Sequence, residues 1–125
     1  MNRQNISGTS PFEAIIGFSR AVRIGNVVHV SGTGPVGAED LSAAEQTRHV
    51  LTLIENALHQ AGAKFEHVVR TRMFIARPED WEEVGRAHGE VFGSIRPAAT
   101  MVIAQMLNPK WRVEMEADAV LPDAG

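Results

Sequence analysis

The stretch WRVEMEADAV, Trp111 to Val120, decides the fold. Trp111, Val113, Met115, Ala117 and Ala119 alternate with Arg112, Glu114, Glu116 and Asp118. Side chains of a strand point to opposite faces in turn, so this is a strand with one apolar and one charged face. A strand so divided belongs to a sheet whose apolar side is covered by helices. VVRTRMF, further back, repeats the pattern, with Arg70 and Arg72 on one face and Val69, Thr71 and Met73 on the other.

The covering helices are legible on either side of VVRTRMF. In SAAEQTRHVLTLIENALHQAG (42–62), Ser42 and Glu45 have the spacing of a capping box, in which each side chain bonds the other's free backbone donor. Ala44, Thr47, Leu51, Ile54, Leu58 and Ala61 then share one face, and Gly62 suits the C-terminal cap. Pro78 opens a second helix, with Glu79, Asp80, Glu82 and Glu83 near its positive end and Trp81, Val84, His88, Val91 and Phe92 on its apolar face. FSRAVRIGNVVHVSG (18–32) reads as two strands joined by a two-residue turn at Gly25-Asn26. TMVIAQML (100–107) is a further strand, apolar on both sides. The predicted order is β-β-α-β-α-β-β, an α+β fold with a mainly antiparallel sheet and two helices on one face. The other face mixes charges with apolar residues, which points to burial against another subunit.

The chain has 125 residues, a length for one domain (1–125, core 18–120). Its formal net charge is −3, which argues against a nucleic-acid surface. It has no cysteine, so disulfides, thiolate nucleophiles and Cys-type zinc sites are excluded. No stretch has the apolar length of a membrane span or a secretion signal, and a cytoplasmic protein is expected.

Few motifs carry chemistry by themselves. Gly32-Thr33-Gly34-Pro35-Val36-Gly37 matches G-x-G-x-x-G after a strand. A dinucleotide site needs a helix to start there, whereas Pro35 removes a donor and the helix signal begins at Ser42. Exposed backbone N–H groups holding a carboxylate or a water suit these glycines better. The five histidines show no metal-ligand spacing. His49 and His59 fall on polar parts of the first helix, and His88 reads as a hydrogen-bonded core or interface residue. Glu114 becomes a candidate for proton transfer if its face of the sheet is enclosed, because burial raises a carboxyl pKa.

Five segments together resemble the Rid/YjgF-like family, the reactive intermediate (enamine/imine) deaminases. They are FSRAVRIGNVVHVSGTGPVG, QTRHVLTLIENALHQAGAKFEHVVRTRMFI, WEEVGRAHGEVFG, RPAATMV and VEMEADAV, in the family's order from Phe18 to Val120. The resemblance implies a chorismate-mutase-like fold and a homotrimer with ligand clefts between subunits. It also implies hydrolysis of 2-imino acids to 2-keto acids and ammonia, without a cofactor. On this resemblance Glu114 positions the water, and Phe18, Ser31, Gly32, Thr33, His88, Thr100 and Met101 line the substrate site. The family's carboxylate-gripping arginine falls on Ala99, between Ala98 and Thr100. A lost bidentate contact to a carboxylate typically costs several kcal/mol of binding. Weak or absent activity on simple 2-imino acids is therefore expected, unless Arg96, Arg20 or Arg72 compensates. The resemblance leaves three functions: an imine or enamine hydrolase, a non-catalytic trimer that binds a small metabolite, and, least favoured by the acidic balance, an endoribonuclease or translation inhibitor.

Overall fold

Val113, Met115, Ala117 and Ala119 have no exposed surface in the computed structural model of the chain, which describes residues 2–122. The strand that carries them, β6 (Val113–Val120), runs antiparallel to β3 (Val27–Thr33) on one side and to β4 (Val68–Ile75) on the other. It starts two residues later than the alternation suggested. Trp111 lies outside it, and a side chain at Gly34 would collide with the Trp111 ring.

Strands β1 (Arg3–Ile6), β2 (Ala21–Ile24) and β5 (Ala98–Ile103) complete a six-stranded sheet in the order β1-β2-β3-β6-β4-β5. Only β4 and β5 pair in parallel, as their linking helix, α2 (Trp81–Phe92), requires. Strand β1 is an addition to the expected order. Its sequence, RQNI, is mostly polar and exposed, and it is held by pairing with β2. The β2–β3 turn falls at Gly25-Asn26 as read, with Gly25 at φ 58°, a conformation glycine adopts without strain.

Helix α1 (Ala43–Gln60) lies on the apolar face with α2. Its buried stripe includes Ala43, Gln46, Thr47, Val50, Leu51, Ile54, Ala57 and Leu58. At its start, Ser42 Oγ accepts from Glu45 N at 3.2 Å, which is one arm of the expected capping box. A neighbouring free donor, Ala44 N, is taken by Glu83 of α2 at 2.8 Å. At its end, Ala63 N bonds Leu58 O and Gly62 N bonds His59 O, with Gly62 at φ 83°. This is a Schellman closure, which satisfies carbonyls that the helix leaves unpaired.

Two inward assignments are corrected. Val69 is 49% exposed, because the β4–β6 register slips between Val68 and Arg70 and leaves Val69 in a bulge. Trp81 is 61% exposed. Pro78 opens a 3₁₀ turn over Pro78–Asp80, and the inward place at the head of α2 goes to Asp80, 2% exposed, which Arg112 grips through two bonds of 2.7 and 2.9 Å. Val84, Ala87 and Phe92 then form the buried stripe of α2.

Gln46, fully buried, ties these pieces together. Its Nε2 donates towards the carbonyls of Glu39, Leu41 and Lys110, and its Oε1 accepts from Arg112 N at 2.7 Å. Removing a buried amide strands its partners without water. Gln46→Ala is expected to lower stability by about 2–4 kcal/mol, read from the urea midpoint.

Candidate functional site

The charged face of β6 meets different partners along its length. Asp118 pairs in register with Arg70 and Glu116 with Arg72, whereas Glu114 pairs with Phe74. Arg72 Nη1 approaches Asp118 at 3.0 Å and Glu116 at 3.5 Å, and His29 Nδ1 lies 2.7 Å from Asp118. Glu114 makes no ion pair among the described residues. Burial raises its pKa above the ordinary carboxylate value, the nearby Arg20 pulls it down, and Glu116 pushes it up.

The neighbour across β6 is a break in β3. Val30 pairs with Ala117 and Thr33 with Met115, so Ser31 and Gly32 together oppose Glu116. Such a bulge withdraws backbone groups from the ladder and re-aims the chain. It brings Gly32 against the Glu114 carboxyl: a Cβ on Gly32 would lie 3.3 Å from Glu114 Cδ. Ser31 Oγ donates to Ser19 O at 2.6 Å, and Thr33 Oγ1 donates to Ser31 O at 2.8 Å. Thr33 itself is buried beneath the sheet, so it stabilises the bulge from below.

Arg20 closes this corner. Counting back from the Gly25-Asn26 turn puts it opposite Ser31, whose N–H bonds Arg20 O at 3.0 Å. Its Nη2 donates to Gly32 O at 2.9 Å, and its guanidinium carbon lies 5.7 Å from the centre of the Phe18 ring. Burial lowers its pKa, and Glu13 and Glu114 raise it. Sequence reasoning treated Arg20 only as a substitute for the missing arginine. The hairpin register is the signal that places it beside Ser31-Gly32.

The remaining expected site residues lie elsewhere. In the parallel β4–β5 ladder, Ala99 aligns with Thr71, Met101 with Met73 and Thr100 with Arg72. Met101 packs towards α2, where a Cβ on Gly85 would meet it at 3.8 Å. His88 Nε2 is 2.9 Å from Thr71 Oγ1 and its ring tilts against Phe92 at 4.6 Å. Burial lowers the His88 pKa, which favours the neutral, hydrogen-bonded ring. Ala99, Met101 and His88 therefore gather on the helix side of β5, and Glu114, Gly32, Ser31, Phe18 and Arg20 at the β3–β6 corner. Thr100 faces the same side as Glu114, but its hydroxyl is held by Arg70 Nη2 at 2.6 Å. The residues named from the sequence thus form two groups on opposite faces of the sheet, and the chain by itself does not join them.

Of the arginines that could replace the one missing at Ala99, Arg72 is engaged by Glu116 and Asp118. Arg96 is exposed, in a left-handed turn at φ 58° after α2. Arg20 alone stands beside Glu114. The glycine-rich stretch after β3 leads into a turn, and no helix starts between Thr33 and Ala43. His49, read as solvated, instead meets Val36 O at 2.7 Å and steadies that turn. Among the described residues no group of three or more His, Asp or Glu could hold a metal ion, and no helix is long and apolar enough to cross a membrane.

This architecture has close counterparts. A family profile described as Endoribonuclease L-PSP matches residues 8–121. The chain belongs to that family, the YjgF/Rid proteins. A Mycobacterium tuberculosis member of the YjgF/YER057c/UK114 family superimposes with a TM-score of 0.90 at 45% identity, covering 96% of this chain and all of the other. A YjgF protein of Neisseria meningitidis gives a TM-score of 0.85 at 31% identity, over 99% of this chain and 98% of its own. The 3-aminoacrylate deaminase RutC of Acinetobacter baylyi is 30% identical over 79% of this chain and 82% of its own.

The raised pKa of Glu114 has a consequence for stability. The stability contributed by the neutral carboxyl is present below the unfolded value and is lost as pH rises through the raised folded value. Glu114→Gln, which keeps the neutral shape, is expected to melt higher than the parent at pH 7. The difference should close as pH falls to about 4, where the parent is itself protonated. Thermal melts across pH 4–8 read the effect.

Proposed function

We propose that the chain hydrolyses a small imine or enamine, with Glu114 holding the attacking water in a cleft completed by a second copy of the chain. The observation that carries this reading is the Glu114 carboxyl itself, without an ion-pair partner among the described residues and packed on Gly32 at the β3 bulge. A carboxylate whose pKa burial has raised takes a proton from water as the oxygen adds to the C=N carbon. It returns that proton to the nitrogen, giving a carbinolamine. The hydroxyl proton then passes through the same carboxylate to the nitrogen, and ammonia leaves as the C–N bond breaks and the C=O bond forms. An enamine enters the sequence as its imine tautomer. Family membership supports a deaminase-type or ligand-binding role, and the relative named as a 3-aminoacrylate deaminase supports the enamine class.

The second copy is proposed on two grounds. The two groups face opposite ways, and β5 leaves one edge unpaired, with Val102 43% and Ile103 60% exposed. An unpaired apolar edge beside a mixed sheet face suits a homotrimer whose clefts lie between subunits. Ile103→Lys is expected to shift the mass measured by light scattering from trimer towards monomer.

Ala99 favours a second reading, a trimer that binds a metabolite without turning it over, because no charge on that side grips a 2-imino acid. The net charge of −3 weighs against a polyanion substrate and so against ribonuclease action. Ammonia release from a panel of imines and enamines separates the two readings. Glu114→Gln should reduce turnover by about 10²–10⁴-fold if the carboxyl moves the proton. Ala99→Arg should raise kcat/KM for 2-iminopropanoate from its low starting value. Saturable binding with no ammonia released would favour the binding trimer.

A further inference from the structure

We infer that Arg20 is the group that recognises the anionic end of the ligand, in place of the cation missing at position 99. This inference rests on the reading of the Glu114 corner as the small-molecule site. Three observations carry it. Arg20 is half-buried, yet its guanidinium makes a single hydrogen bond among the described residues, from Nη2 to Gly32 O. Its Nε is sealed without a partner, while Nη1 is neither bonded nor sealed. A half-buried guanidinium with most of its donors unused is costly as a purely structural group. It is suited to an end-on carboxylate bonded through Nη1 and the second proton of Nη2.

Arg20 also stands between the Glu114 corner and a cavity. On one side its bonded partner Gly32 underlies the Glu114 carboxyl. On the other it lines a cavity of about 480 Å³ together with Gly8, Phe12, Gly34, Asn56 and Trp111. Glu13 and Glu114 both lie near enough to influence the guanidinium, but neither forms an ion pair with it. Glu13 is instead occupied by Gly8 N, at 3.0 and 3.1 Å. The Phe18 ring, with no hydroxyl, covers the guanidinium without competing for its protons. The ligand class that follows is a small monoanion whose acid group sits on the Gly32 side of the sheet and not at β5.

Matched binding of an acid and its uncharged isostere tests this. Butanoate and butanamide, titrated into the intact oligomer and followed by NMR, have nearly the same shape and differ in charge. The parent should prefer the acid by about 10- to 100-fold, the worth of a charge-assisted contact. Arg20→Gln should lose that preference while binding butanamide as before, and Arg20→Lys should keep part of it. A purely structural arginine would weaken both ligands alike. Circular dichroism of both variants establishes that they are folded, and Arg20→Lys carries the test if the glutamine variant is not. A parent with no preference for the acid, or an Arg20→Gln protein that keeps it, overturns the inference. Glu114→Gln separates this from the proposed reaction. It should lower ammonia release by about 10²–10⁴-fold while the acid stays preferred over the amide. An Arg20-dependent preference without any turnover would remove the proposed reaction and leave the inference standing.

Discussion

The rest of the structure depends on the alternation of β6. Its inward residues are sealed completely between the neighbouring strands and α1, where Leu51, Ile54 and Leu58 are also buried. Ala117 and Ala119 are small enough to let the helix lie close, and burial of this face is the main favourable contribution to the fold. A period of two leaves no freedom on the other side: if the alanines point in, Glu114, Glu116 and Asp118 must point out together. Three like charges on one strand repel, and cross-strand cations offset that repulsion. Register supplies Arg70 and Arg72 opposite two of them, and only Phe74 opposite the third. The distinct character of Glu114 is thus a consequence of where β4 carries its arginines.

The bulge in β3 gives that leftover carboxylate its surroundings. With Ser31 and Gly32 set against one residue of β6, the strand bends and a glycine backbone comes up against Glu114. Any larger residue would force the carboxyl aside by a few tenths of an ångström, so close approach and not unusual backbone geometry explains the glycine there. The same bend leaves Gly32 O free of the ladder for Arg20. Partial burial, a cation at a short remove and exposed backbone polar groups coincide at this one corner, a combination that perturbs carboxyl pKa values at reactive sites.

Most of the fold was legible because its main elements are strongly patterned. Helix α1 has a cap, a continuous apolar stripe and a terminating glycine, and the β2–β3 hairpin has its turn residues in place. The failures have tertiary causes. Strand β1 has no apolar alternation and exists because β2 offers it an edge. Trp81 has the right spacing for the buried face of α2, but the Asp80–Arg112 pair occupies that end of the core. Gln46 lies on the buried face of α1 although it is polar, because its amide meets four backbone groups from two loops. The site was legible as a set of residues but not as an arrangement. Spacing along one chain does not reveal that Ala99 and Glu114 lie on opposite faces of the sheet.

That separation explains how position 99 can differ without disturbing the fold. Ala99 is exposed on an edge strand, with no charge to neutralise and no buried polar group depending on it. Arg20 is bound to the opposite circumstance. It is half-buried, it meets Gly32 O, and its charge acts on Glu114 in every copy of the chain, with or without ligand. A cation needed both by the ligand and by the resident carboxylate is more secure at position 20 than at 99, since its removal would leave Glu114 partly buried with no nearby positive charge to offset the desolvation.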